Sequence, residues 1–322
     1  MGGSESTQKE RDSPVARQDV QPVRARSTTT DLQPTQKEEF EKPWRSTPWG
    51  EKESLEKNLR EFPLSHPNVN YVRILLTGDV GAGKSSFINS INSAFQKRIT
   101  TEALANSTSS KSFTKSYKTY YIKSGESILP FVFNDIMGLE SLESEGAHPE
   151  DIVKALQGFL KEGYKFNPVS SVSVGDDGYR SDPTAQEQTY CLVYIIAADK
   201  VSMMYPEVIQ KMQYIRAKAS ELDIPQIIIM TRVDESCELV KKDLRKIYTS
   251  KKIKVKMEEC CNIVGVSMSN IFPVKNYHEE IDPDNDIDVL LLRALTQIVQ
   301  IANDNLSRKY ENVLNDGATN DV

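Results

Sequence analysis

Eight consecutive residues, Gly78-Asp79-Val80-Gly81-Ala82-Gly83-Lys84-Ser85, have the types and spacing of a phosphate-binding loop, G-x-x-x-x-G-K-S. Its glycines let backbone N–H groups curl around a β-phosphate, and a helix starting at the loop aims its positive dipole end at the same charge. Lys84 then reaches the β- and γ-phosphates as a point charge. Ser85 offers its hydroxyl to Mg²⁺, and Ser86 extends the cradle.

Two further patterns fit the same chemistry. Asp135-Ile136-Met137-Gly138 ends the apolar run Phe131-Val132-Phe133, where a Walker B carboxylate lies. Asp135 there holds the metal, and Gly138 can give its N–H to a γ-phosphate. The plainer alternative is a turn after a strand. Thr231-Arg232-Val233-Asp234 follows Ile227-Ile228-Ile229-Met230 and resembles the T-K-x-D or N-K-x-D base-reading element of GTPases. A carboxylate at Asp234 accepts two hydrogen bonds from guanine N1 and N2, which adenine lacks, and so selects GTP. Thr231 stands for the commoner Asn and Arg232 for Lys, although an Arg stem can still cover the base face. The alternative is that Asp234 caps a helix.

Val266-Ser267-Met268-Ser269 is the expected fifth element contacting the base. A switch Thr for Mg²⁺ is expected among Thr100-Thr101 and Asn106-Ser107-Thr108-Ser109-Ser110, with Thr108 favoured over its neighbours and a polar loop as the alternative. Leu139 stands where small GTPases of the Ras type carry the Gln that orients water. A Leu cannot do so, which predicts slow hydrolysis unless another group, a dimer partner or an activating protein supplies it.

The elements that must position these residues are legible in the hydrophobic pattern. Tyr71-Val72-Arg73-Ile74-Leu75-Leu76-Thr77 reads as a strand covered on both faces. Phe87, Ile88 and Ile91 recur at helical spacing after the loop. Ser116–Lys123 and Ile128–Asn134 form an expected hairpin around Ser124-Gly125-Glu126. Then come a helix over Pro149–Glu162, an irregular stretch to Pro183, a strand over Tyr190–Ala197, a helix over Pro206–Leu222 and a strand over Gln226–Met230. Two charged helices between Glu235 and Cys261, a short strand at Ile263–Val266 and a helix over Asp286–Ala302 complete the order. Alternating strands and helices predict an α/β fold: a P-loop NTPase, G-domain-like, with a mainly parallel sheet flanked by helices.

The chain has 322 residues, long enough for one large α/β domain with tails. Hydrophobic residues make up 38% and the net charge is −6, which argues against a nucleic-acid binder relying on broad phosphate neutralisation. Four cysteines lack both disulfide density and paired C-x-x-C spacing, and three widely separated histidines make a zinc site unexpected. They read as reduced, cytoplasmic thiols. No apolar stretch approaches the roughly 20 residues that cross a bilayer, and no secretory signal is expected.

Residues 1–42 are poor in large apolar side chains and read as a disordered tail. Met1-Gly2-Gly3-Ser4-Glu5-Ser6 fits the pattern for N-myristoylation of Gly2, which alone gives weak, reversible membrane association. Residues 43–65 hold both tryptophans, Trp44 and Trp49, and an amphipathic stretch from Glu51 to Phe62, read as an anchor on the domain rather than a partner-docking element. The nucleotide-binding domain is expected over 66–306, and 307–322 as a second disordered tail.

With these motifs in place, the chain resembles the interferon-induced protein 44 family, especially its fish-type members. The resemblance is carried by Gly78–Asn92, Asp135-Ile136-Met137-Gly138-Leu139-Glu140, His148–Pro168, Ile224–Asp234 and Phe272–Ile281 with its Phe-Pro-Val-Lys-Asn-Tyr-His core. It spans about Trp44 to Leu306. It implies a cytoplasmic, interferon-responsive immune protein with a GTP site. Two functions stay open: a GTP-binding switch or slow GTPase, and an immune interaction scaffold, engaging unidentified protein partners or itself, whose pocket is structural or vestigial. ATP in place of GTP is a lesser alternative.

Overall fold

The computed structural model describes residues 38–103 and 115–319, with side chains described as far as residue 311. The run read as a doubly covered strand is β1 (Val72–Thr77), and all six of its residues are buried. Such a strand needs a helix layer on each face. α1 (Lys52–Arg60) precedes it and α2 (Lys84–Gln96) follows the glycine-rich loop. The hairpin is β2 (Lys118–Ser124) with β3 (Ser127–Asp135), turning at Gly125. Beyond it lie α3 (Pro149–Gln157), β4 (Thr189–Ala197), α4 (Pro206–Glu221) and β5 (Gln226–Thr231). The short helices α5 (Val233–Ser236) and α6 (Glu238–Lys242) lead to α7 (Lys251–Val264), then β6 (Ile271–Pro273) and α8 (Asn285–Thr319).

The six strands are ordered β2-β3-β1-β4-β5-β6. β1 pairs in parallel with β3 on one side and β4 on the other, β4 with β5 and β5 with β6, while β2 is antiparallel to β3. Alternate residues along the strands feed two cores. Ile74, Val193 and Ile229 face α1, α2 and α8 through Leu55, Phe87 and Leu291. Leu75, Leu192 and Ile228 face α3, α4 and α7 through Ile152, Met212 and Ile253. The chain leaves β1 for strands on both sides of it, and at such a switch point a crevice opens at the carboxyl ends of the strands. This is the P-loop NTPase fold expected from the sequence.

Three local expectations need correction. Ile263–Val266 is not a strand: Ile263 and Val264 end α7, and Gly265 takes a left-handed φ of +81° as its C-cap. The last strand is instead β6, whose three residues are too few for a periodic signal. The helix expected to reach Glu162 stops at Gln157, where Gly158 supplies the left-handed cap at φ +88°. α8 runs well past Ala302. Among the described residues, no helix is long and apolar enough to cross a membrane.

Candidate functional site

The phosphate loop leaves β1 at Gly78 and enters α2 at Lys84. A Cβ on Gly78 would lie 2.2 Å from the Ile195 carbonyl oxygen of β4, so only glycine lets the loop start this close to the sheet. Gly83 is the N-cap of α2 with φ +98°, a left-handed geometry that glycine adopts freely. The first N–H groups of α2, which have no partner within the helix, therefore open onto the loop.

Lys84 is buried and folds back over the loop, its Nζ donating to the carbonyls of Gly78 and Asp79 at 3.1 Å each. Burial pushes its pKa down, and the carboxylates of Asp135, Asp79 and Glu140 counteract this. Ser85 Oγ donates to Asp135 Oδ2 at 2.8 Å, joining the loop to the end of β3. Ser86 sits half-buried in the first turn of α2, where its carbonyl accepts from Ser90 Oγ. Asp79 turns its carboxylate onto its own loop, and Oδ1 accepts from Val80 N–H at 2.7 Å.

Asp135 and Gly138 reach the loop as expected, but the segment after them is anchored. Leu139 N–H donates to the Gly78 carbonyl at 3.0 Å, and Val80 N–H donates to the Leu139 carbonyl at 3.3 Å. The β1–β3 pairing thus continues as an isolated bridge between Asp79 and Leu139. Gly138 packs so closely that a Cβ there would lie 2.7 Å from Val80 Cγ2. The Leu139 side chain is fully buried with Ile136, Ala147 and Ile152. It belongs to the core and does not stand where it could face a reacting water.

The end of β5 meets the loop from the other side. Thr231 Oγ1 donates to the Ala82 carbonyl at 2.7 Å, and Arg232 Nη2 donates to the Gly81 carbonyl at 2.8 Å. Arg232 has a left-handed φ of +55°, and its guanidinium also lies 3.6 Å from Asp199 just beyond β4. Asp234 does not cap α5, whose N-cap is Arg232. It is half-buried, 3.7 Å from Lys275 Nζ, and Lys275 is also paired with Glu280 at 2.6 Å. Burial alone would lower the Lys275 pKa, but Glu280 and then Asp234 outweigh it and raise the value.

The expected fifth element, Val266–Ser269, lies elsewhere. It precedes β6, and Asn270 beside it bonds the carbonyl of Gln226 at the start of β5, the sheet edge opposite the loop. The residues after β6 that stand beside Asp234 and the phosphate loop are Lys275 and Asn276. Asn276 Nδ2 donates to the Gly83 carbonyl at 3.2 Å. The only sequence signal for them was their position inside the Phe272–Ile281 stretch. Thr100 is buried, its hydroxyl bonded to the Asn89 carbonyl and Ser93 Oγ, a structural role within the α2 exit. Thr108 and Gly2 lie outside the described residues.

A hydroxyl and a carboxylate 2.8 Å apart beside a glycine cradle fit Mg²⁺, which takes one or two protein oxygens and completes its shell with phosphate and water. Fold and site together define a P-loop NTPase-type domain. No family model matches the chain. It is 32% identical over 255 residues to human (Homo sapiens) interferon-induced protein 44, covering 79% of this chain and 57% of that protein. The Mus musculus protein is 31% identical over 248 residues, 76% of this chain and 58% of the relative. Human interferon-induced protein 44-like is 28% identical over 249 residues, 77% and 55%. The chain belongs to the interferon-induced protein 44 family and spans somewhat more than half the length of these relatives.

Among solved structures, a probable GTP-binding protein engB aligns at TM-score 0.40 and 13% identity, over 72% of this chain and 99% of that one. Aquifex aeolicus Era bound to GDP and AlF4⁻ aligns at 0.32 and 15%, over 64% and 52%. Likenesses this loose carry no functional argument.

Proposed function

We propose that the chain is a guanine-nucleotide-binding protein of the immune response, a GTP switch or slow GTPase that works with Mg²⁺ in the cytoplasm. Interferon-responsive expression belongs to the same reading, through the name its relatives bear. The observation that carries it is the convergence on one loop of Lys84, the Ser85–Asp135 pair and the Thr231–Asp234 segment. Lys84 would release the Gly78 and Asp79 carbonyls to bind the β- and γ-phosphates. Ser85 and Asp135 would hold Mg²⁺, which when bound neutralises charge on the phosphate oxygens. Asp234 would read guanine N1 and N2.

The test is a titration of fluorescent GTP, GDP and ATP analogues into the full chain, with and without Mg²⁺. Guanine-selective, Mg²⁺-dependent binding is expected. Lys84→Ala should weaken it at least 100-fold, and Asp234→Asn should erase most of the preference over ATP. Absence of binding by the wild-type chain overturns the reading.

A second reading, an interaction scaffold with a structural or vestigial pocket, is favoured by one feature. Leu139 is buried in the core and hydrogen-bonded to Gly78 and Val80, which ties the Asp135–Gly138 element to the loop. Partner binding that is unchanged by Lys84→Ala would support it. The partner in either case is an unidentified protein or a second copy of the chain.

A further inference from the structure

The Phe-Pro-Val-Lys-Asn-Tyr-His stretch stands out in the sequence and has no role in the function proposed above. In the structure it spans β6 and the turn leaving it, at the carboxyl edge of the sheet. Three consecutive residues there reach three different places. Lys275 pairs with Asp234, Asn276 Nδ2 bonds the Gly83 carbonyl, and Tyr277 N–H donates to Ser90 Oγ of α2 at 2.9 Å. Tyr277 also anchors the turn below, donating its hydroxyl to buried Asp288 of α8 at 2.7 Å.

The contact of Asn276 completes a set. The carbonyls of Gly81, Ala82 and Gly83 each accept from one side chain, Arg232 Nη2, Thr231 Oγ1 and Asn276 Nδ2, and that of Gly83 also accepts the Phe87 N–H at 2.8 Å. Because a trans peptide is planar, its C=O and the following N–H point in opposite directions. Holding these carbonyls turns the N–H groups of Gly83 and Lys84 the other way, as a pair of donors for an anion, while the Ala82 N–H donates to the Asp79 carbonyl at 3.2 Å. An unpinned glycine-rich loop would have to surrender backbone entropy to reach that arrangement each time it binds.

We propose that Asn276 is a positioning residue of the nucleotide site: with Thr231 and Arg232 it presets the phosphate loop for a polyphosphate, while Lys275 beside it holds Asp234 for the base. This rests on the guanine-nucleotide reading. It separates two jobs within one turn. Asn276 acts on phosphate affinity, and Lys275 acts on the base.

The experiment is a competition titration of GDP and GMP, with Mg²⁺, against a fluorescent GDP analogue on the full chain. Wild type is compared with Asn276→Ala and Asn276→Leu, the second keeping a similar size while losing the donor without adding charge. Thr231→Val, which loses the Ala82 bond at nearly constant size, is a third arm should both Asn276 variants fold poorly. Loss of one of the hydrogen bonds that hold the loop should weaken GDP about threefold to tenfold, the Gly83 carbonyl keeping its bond from the Phe87 N–H. GMP should change less than about twofold, so that the gain from the β-phosphate shrinks. An equal loss for GDP and GMP, or none for either, in folded variants overturns the proposal and leaves Asn276 a structural residue. Failure of the guanine-nucleotide reading is separately visible, because the wild-type arm would then show no GDP binding at all.

Discussion

Asp79 places a carboxylate inside a loop whose other features suit an anion. Burial pushes its pKa up, and the Val80 N–H, Lys84 and Lys200 pull it back. A carboxylate with a raised folded-state pKa costs stability while ionised, and that cost fades as pH falls through the folded value. Asn at this position keeps the Oδ1 acceptor for Val80 and removes the charge. Asp79→Asn should therefore raise the thermal midpoint at pH 7, with the gain shrinking toward pH 4. It should also tighten GDP on the order of tenfold, as expected for removing a like charge a few ångströms from phosphate. Unfolding midpoints across that pH range and a GDP titration check both. At this scale the sequence was informative: local patterns pick out Lys84 and Ser85, which open α2, Asp135, which ends β3, and Asp234, which follows β5 within α5. The carboxylate's direction, toward its own backbone, was not legible.

At the scale of elements, the segment from Asp135 to Ala147 is held on both sides. Leu139 bridges Asp79 and Gly146, Ala147 N–H donates to the Gly138 carbonyl, and Lys211 of α4 donates to the Glu140 carbonyl at 2.7 Å. A Gln introduced at position 139 would bury an amide among Ile136, Ala147 and Ile152. Leu139→Gln is expected to cost about 2–4 kcal/mol in urea unfolding and to leave GTP hydrolysis no faster. Faster phosphate release without loss of stability would mean that the segment leaves the core once nucleotide is bound. Sequence pattern finds the Leu in place of Gln. That it is a core residue depends on where α3 and the 144–147 turn lie, which no window of a few residues can contain.

Across the whole described region, α1 and the tryptophan segment are tied to elements more than 200 residues away in sequence. Lys52 of α1 lies 2.6 Å from Asp288 of α8, a pair whose carboxylate is fully buried and which also receives the Tyr277 hydroxyl. Arg45 donates to the carbonyls of Ile271 and Met268, covering the outer edge of β6, and Trp44 packs edge-on against Tyr248. Lys52→Met should cost about 3–5 kcal/mol by leaving the Asp288 charge buried without its cation. Asp288→Asn added to it should recover part of that loss, which a double-mutant cycle in urea would measure.

What the sequence by itself determined is what local chemistry can encode: a glycine-rich loop between a mostly apolar strand and a helix, acidic residues after strands, and the alternation of strands and helices that demands a parallel sheet. Tertiary structure alone decided which residues complete the site. Asn276 lies 193 positions from Gly83 and meets it only because β6 docks on the edge of β5. A three-residue strand carries too little periodicity to announce itself, and its place is set by its pairing with β5 and the packing of α7. The same holds for Leu139, whose burial follows from the neighbours that the fold brings to it.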